Sequence, residues 1–226
     1  MQTIDILRAA VALIAGFLVG GIPFGIIVPR LIGGPDPRTL GSGRTGGANV
    51  SRAVGFRWAA VSGLLDVAKG AAAVLLIVVI GGGIVPQVLA ALAAIVGHSR
   101  SPYIGFHGGR GVAPATGGAL IIAPLILAVI FPIFVIVIAV TRISSLGSLG
   151  ASLIGGVAMV TATFVFPLAP IYFLYGIGVP GLIWLFHHDN IARLLSGKER
   201  RLGPSTDKSE SSDRPKGTSS GQAARR

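Results

Sequence analysis

Residues 112–141 read VAPATGGALIIAPLILAVIFPIFVIVIAVT, an uncharged stretch with a proline near its middle at Pro124. Thirty residues are short for two full crossings of a bilayer at about 1.5 Å of rise per residue. Arg110 stands just before the stretch and Arg142 just after it. Lys and Arg gather on the cytoplasmic side of membrane proteins. A single crossing would split these basic segments between the two faces. A hairpin of two short helices, broken at Pro124, keeps them together, and the sequence is read that way.

The neighbouring segments extend the same pattern. Apolar runs fall at about 6–31, 56–81, 84–97, 112–123, 124–141, 146–165 and 168–187. Most approach the ~20 residues needed to cross ~30 Å of hydrocarbon. Hydrophobic residues make up 52% of the 226-residue chain and charged ones 12%, and the mean hydropathy is +0.79. A soluble domain would carry more charge. The expected fold is therefore an all-α integral membrane protein of about seven transmembrane helices, the 112–141 hairpin included. The first apolar run is longer than the core of a signal peptide and follows Asp5, so it is read as a retained span.

From Gly197 the composition turns polar. Residues 1–197 are read as the transmembrane domain and 198–226 as a disordered cytoplasmic tail, since this segment has almost no large apolar side chains. The loop at 30–57 holds Arg30, Arg38, Arg44, Arg52 and Arg57, the loop at 98–110 holds Arg100 and Arg110, and the connections near Gly81–Gly83 and Phe166–Pro167 carry no charge. An N-terminus outside the cell places every basic loop, and the C-terminus, on the cytoplasmic face. The formal net charge of +11 then points to an anionic lipid or substrate. Nucleic acid is not expected as a partner, because the basic residues sit in short loops between spans. The chain has no cysteine, which excludes disulfides, thiol nucleophiles and thiolate-bound metals.

Four polar segments share that face. The first is GSGRTGGANVSR, residues 41–52: glycines allow the backbone close to an anion, Ser42 and Asn49 add neutral donors, and Arg44 and Arg52 add charge. It lacks the Lys-Ser/Thr ending of a nucleotide P-loop. A flexible loop bearing positive-inside arginines is the plainer alternative. The second is Asp66-Val67-Ala68-Lys69-Gly70, in which Asp66 and Lys69 share a helical face. Charges at membrane depth mark either function or an internal ion pair. The third joins Gly97-His98 to Gly105-Phe106-His107-Gly108-Gly109-Arg110-Gly111, where one arginine in a glycine run suits phosphate. The fourth is split between Arg142–Ser148, with Ser145 and Ser148 on one face, and His187-His188-Asp189-Asn190. No metal site is expected there, because adjacent histidines do not converge on a helix and no third ligand stands out.

Together these segments resemble the bacterial acyl-phosphate:glycerol-3-phosphate acyltransferases, the PlsY family, in order over about residues 6–203. The pattern G-S-G-N-x-G-x-x-N-x-x-R is met at Gly41, Ser42, Gly43, Gly46, Asn49 and Arg52, and D-x-x-K-G at Asp66, Lys69 and Gly70. G-H followed by G-G-K-G-V is met at Gly97, His98, Gly108, Gly109, Gly111 and Val112, with Arg110 where lysine is usual. R-x-x-S-L-x-S runs from Arg142 to Ser148, and H-R-x-N-I is met at His187, Asn190 and Ile191. The departures are Arg44 for asparagine, Arg100-Ser101 for Phe-Pro, Arg110 for lysine and Pro114 for threonine.

The resemblance implies transfer of a long-chain acyl group from acyl phosphate to the 1-hydroxyl of sn-glycerol 3-phosphate, giving lysophosphatidic acid and phosphate. It implies no cofactor, membrane lipid as surroundings, and a link to the enzyme that forms the acyl phosphate. On this reading Ser42, Gly43, Asn49, Arg52 and Lys69 bind glycerol phosphate, and Gly108, Gly109, Arg110 and Gly111 hold the acyl phosphate. His98, Ser145, His187 and Asn190 orient the reacting groups, supported by Asp66 and Ser148. An anion or phosphate-ester transporter, a non-catalytic scaffold, and an inactive or altered-substrate paralogue are the alternatives.

Overall fold

The computed structural model describes residues 3–202, and all regular structure among them is helical. Helix α1 (Thr3–Gly21) and α2 (Phe24–Leu31) form the first apolar run, which breaks at Pro23 because a proline cannot continue the backbone bonding of α1. A short helix α3 (Gly47–Val54) follows, then α4 (Phe56–Val79), α5 (Ile84–Ser99), α6 (Val112–Ile122), α7 (Pro124–Thr141), α8 (Ser144–Val165), α9 (Ile171–Phe186) and α10 (His188–Leu195).

The apolar runs fall on these helices, with boundary differences of a few residues. Five helical segments are long and apolar enough to cross a membrane, and a sixth if α9 and α10 are taken together across their 68° bend. Seven full-length spans is therefore an approximate count, since α6 is short. α10 is polar and carries Asp189, Asn190 and Arg193; it lies outside the spanning part of α9. Many large apolar side chains on α4, α7, α8 and α9 are exposed, among them Leu64, Leu125, Val140, Phe164 and Leu185. A belt of this size fits lipid rather than water.

The break at Pro124 separates α6 from α7, with Ala123 between them. Both ends of 112–141 return to one end of the bundle. Arg110, ahead of α6, bonds Asp189 on α10, and the Arg142 carbonyl, after α7, accepts the Leu202 N–H. The expected break at Pro124 is thus present, but only α6 is short; α7 is by itself long enough to cross a membrane. α3 is a difference: residues 47–54, expected within a glycine loop, are helical. Glycine ends the helix on both sides, at Gly46 and at Gly55 with φ +86°, while Ala48–Val54 contains no breaker and buries Asn49 and Val50.

Small residues set the helix spacing. Gly16 and Gly20 on α1 lie against the backbone of Ala90 and Ala94 on α5, so a side chain at either position would strike the neighbouring helix. This is the small-xxx-small contact by which membrane helices pack without a hydrophobic driving force. Gly117 on α6 does the same against Val67 of α4, and Gly156 on α8 against Gly176 of α9. The result holds the basic loops at one end over a narrow apolar interior.

Candidate functional site at the basic end of the bundle

The 40–52 segment is held in shape by Asn49. Its Nδ2 donates to the Leu40 carbonyl (3.0 Å), the Arg44 carbonyl (2.9 Å) and Ser42 Oγ (3.1 Å), and its Oδ1 accepts from Arg52 (2.8 Å). Gly41 and Gly43 have φ +54° and +69°, a left-handed backbone that lets the loop close on this amide. Ser42, Gly43, Asn49 and Arg52 are thus one unit, with Asn49 buried at its centre. Just ahead of it Asp36 is bonded by Arg38, which holds its carboxyl below the usual carboxylate range.

Burial pulls the Arg44 guanidinium below its ordinary value, and the charge of Arg110 adds to this, followed by opposing effects of Asp189 and Arg100. Burial also lowers Arg52, with Arg200 adding to it and Glu199 opposing. The charges that act on these two guanidinium groups thus come from Arg110, Arg100, α10 and the 198–202 segment.

Lys69 and Asp66 form a buried pair at 2.7 Å on α4. Lys69 Nζ also donates to the Ile22 carbonyl at 2.6 Å, at the break between α1 and α2, where that carbonyl accepts the Phe24 N–H as well. His98 Nδ1 lies 3.6 Å from the same Asp66 oxygen. The Gly108 and Gly109 N–H groups donate to the carbonyls of Ser99 and His98, and Gly109 lies against the His98 ring, where a side chain would collide. Here the glycines serve close packing of their loop on the C-terminus of α5. Gly111, at φ +83°, turns the chain into α6 against Ile95 and Ser99. Lys69, Asp66 and His98 therefore sit beneath the basic face.

Arg110 spans Asp189 with two bonds, at 2.6 and 2.8 Å, and donates to the Phe186 carbonyl at 2.7 Å. These bonds hold the Asp189 carboxyl far below its usual range, burial opposing in part. Arg100 lies over the Phe186 ring. His187 is buried, its Nδ1 bonded to the Ile183 carbonyl at 2.7 Å, which fixes the proton on Nδ1 and leaves Nε2 as the acceptor nitrogen. Ser148 donates back to the Ser144 carbonyl, a structural bond.

Ser145 and Asn190 meet at a residue the sequence reading assigned to the tail. Glu199 accepts from Ser145 Oγ (3.0 Å), from Asn190 Nδ2 and from Arg193 Nε (2.9 Å). Residues 198–202 thus fold back on the bundle; the remaining tail residues, 203–226, lie outside the described residues. A carboxylate among Lys198, Arg200 and Arg201 reads as solvated, and only the Asp189–Arg193 spacing on one face of α10 hints at an ordered cluster. The buried Ser99, Ser101 and Thr45 were also not anticipated. Ser101 Oγ bonds the Gly21 carbonyl at 2.6 Å. The Asn190 Oδ1 is buried with no hydrogen-bond partner among the described residues.

An apolar groove opens next to this cluster, walled by α6, α7, α8 and α9, with Val112, Ser148 and Ile183 nearest the basic end. The arrangement can hold an anionic head at the face and an apolar chain within the bundle.

The family model described as glycerol-3-phosphate acyltransferase matches residues 10–197. Glycerol-3-phosphate acyltransferase of Sinorhizobium fredii is 37% identical over 188 residues, spanning 83% of this chain and 89% of its own. That of a Synechococcus strain is 41% identical over 199 residues, spanning 87% and 95%. The crystal structure of PlsY, an integral membrane glycerol 3-phosphate acyltransferase, in its glycerol 3-phosphate form superposes with a TM-score of 0.77 at 31% identity, covering 86% of this chain and 96% of that one. Its lysophosphatidic acid form gives 0.76 at 31% identity, covering 86% and 95%.

Proposed function

Because this chain belongs to the glycerol-3-phosphate acyltransferase family, as a multi-pass membrane enzyme, we propose that it moves a long-chain acyl group from acyl phosphate to the 1-hydroxyl of sn-glycerol 3-phosphate, releasing phosphate and lysophosphatidic acid. The observation that carries this reading is that the polar segments converge on one end of the bundle at the mouth of an apolar groove. Both substrates bear phosphate, and one bears a chain.

In this reaction the glycerol oxygen forms a bond to the acyl carbon as the bond from that carbon to the phosphate oxygen breaks. The leaving phosphate carries away the electron pair and takes up the hydroxyl proton. An acyl phosphate is already activated, so no protein nucleophile is needed; catalysis rests on positioning and on charge stabilisation. The Ser42–Asn49–Arg52 unit binds glycerol phosphate. Arg110 binds the acyl phosphate, exchanging part of its Asp189 contact for phosphate oxygens. Ser145, His187 and Asn190 orient the reacting hydroxyl; the unpaired Asn190 Oδ1 suits a hydroxyl donor. Lys69, Asp66 and His98 support the site from beneath, with Lys69 as its reserve of positive charge. The acyl chain lies in the groove. The N-terminus lies outside the cell and the basic loops face the cytoplasm, where the acyl-phosphate-forming enzyme supplies the donor.

Purified protein in lipid mesophase, given palmitoyl phosphate and glycerol 3-phosphate, releases phosphate in step with lysophosphatidic acid, and palmitoyl-CoA does not replace the donor. Phosphate release indifferent to glycerol 3-phosphate would overturn the assignment.

A further inference from the structure

The groove runs from the polar cluster to a packed cluster in the middle of the bundle. Its walls run from Val112, Ser148 and Ile183 near the polar cluster to Ala123, Met159 and Tyr175 in the middle of the bundle. Met159 and Tyr175 are 4% and 5% exposed, and both belong to a tight cluster with Val74, Val88, Ala91 and Ile122 drawn from three other helices. The Tyr175 hydroxyl has no hydrogen-bond partner among the described residues and lies against Gly118 of α6, so the ring spans the gap between α9 and α6.

From Ser148 to Met159 along α8 is roughly 16 Å, and from Ile183 to Tyr175 along α9 roughly 12 Å. Those lengths hold about nine to twelve methylenes, at about 1.3 Å of advance for each C–C bond. We propose that Met159 and Tyr175 form the stop of this groove and set the longest acyl chain that is transferred efficiently. The inference rests on the acyl-transfer reading and adds a determinant of its substrate.

The selectivity is steric. A donor arriving from the bilayer exchanges lipid for protein, which are equally apolar, so longer chains gain little by burial. A chain that reaches the stop must displace packed side chains or leave its extended course within the groove, and either costs transfer. Gly155 lies between mouth and stop, and a side chain there would meet only Ile130, at 3.7 and 3.9 Å. It is thus a place where the groove can be narrowed without disturbing the helix contacts.

The test is a ladder of saturated acyl phosphates, from decanoyl to arachidoyl, assayed for kcat/KM on the full-length protein, native and with Met159→Ala or Gly155→Val. Native efficiency falls by about tenfold or more past one chain length, the cost of overpacking against Met159 and Tyr175. Met159→Ala moves that break to donors longer by about two carbons, and Gly155→Val moves it to shorter ones, by the same advance per bond. Loss of folding in one variant leaves the other to decide, since they shift the break in opposite directions. Ladders without a break, or with the same break in native and variant proteins, overturn the proposal while leaving acyl transfer intact. A native protein that transfers no donor of any length removes the acyl-transfer reading, and this inference falls with it.

Discussion

Ser145 and Glu199, 54 positions apart, are joined by a 3.0 Å hydrogen bond that fastens the start of α8 to the segment beyond α10. The same carboxylate holds Asn190 and Arg193, and its side chain is only 7% exposed. Glu199→Ala leaves three donors facing a cavity. The expected result is a loss of stability on the order of 2 kcal/mol, with acyl transfer nearly abolished. Thermal unfolding in detergent and phosphate release check the two parts. A variant with native melting and native turnover would show that the clamp has no role.

Asn49 makes the second clamp. Replacing it with Asp keeps the size but removes the donors to the Leu40 and Arg44 carbonyls and to Ser42. Hydrogen bonds of about 1 kcal/mol each would weaken the closed loop enough to raise KM for glycerol 3-phosphate by one to two orders of magnitude. KM for the acyl donor should move far less. Equal increases in both would place Asn49 outside a glycerol-phosphate subsite.

The Arg110–Asp189 pair gives a pH prediction. The carboxyl of Asp189 is depressed by its bonds to Arg110, so its contribution to stability is present above the ordinary carboxylate range, near 3.9, and is lost as pH falls through the lower folded value. Stability should therefore show no change from this group between neutral pH and about pH 5. Asp189→Asn should lower the melting temperature throughout that range and, by freeing Arg110, alter KM for the acyl phosphate. A melting-temperature difference between native and variant that vanishes on acidification from neutral pH to about pH 5 would contradict the assignment.

Lys69 and Asp66 are buried together, so single and double replacements separate support from binding. Lys69→Met leaves a buried carboxylate without its cation, at a cost on the order of 3 kcal/mol. Lys69→Met with Asp66→Leu should recover most of that stability. Restored melting with KM for glycerol 3-phosphate still raised would identify Lys69 as part of the anion site. Restored melting with a native KM would limit it to bracing the α1–α2 break through Ile22.

The spans and the break at Pro124 were legible because an uncharged run and the sidedness of the arginines are local properties of the sequence. Residues such as Asn49 and Arg110 carried their chemistry in plain view. Their partners did not. Gly108 and Gly109 read as an anion cradle, yet their N–H groups are used by the α5 carbonyls, a pairing fixed by how closely the loop packs. α3 was hidden by glycines that turn out to bound a helix. Glu199 was hidden by its basic neighbours, because only the fold shows that Ser145, Asn190 and Arg193 surround it.

Arg44 offers the most specific test of what the basic face recognises. Its backbone carbonyl serves the Asn49 clamp, while no hydrogen bond or ion pair of its guanidinium is found among the described residues. It is half-buried and feels the charges of Arg110 and Arg100, which Asp189 offsets only in part. A cation kept beside other cations costs stability unless an anion arrives, so removing it should leave the melting temperature unchanged or slightly raised. Arg44→Asn should raise KM for an anionic substrate by about tenfold, matching a charge-assisted hydrogen bond of roughly 1.5 kcal/mol. It should also flatten the dependence of KM on salt, since one charge fewer is screened. Which KM moves decides which phosphate Arg44 meets: the donor's, if Arg44 works beside Arg110, or the acceptor's, if it works with the rest of its own loop.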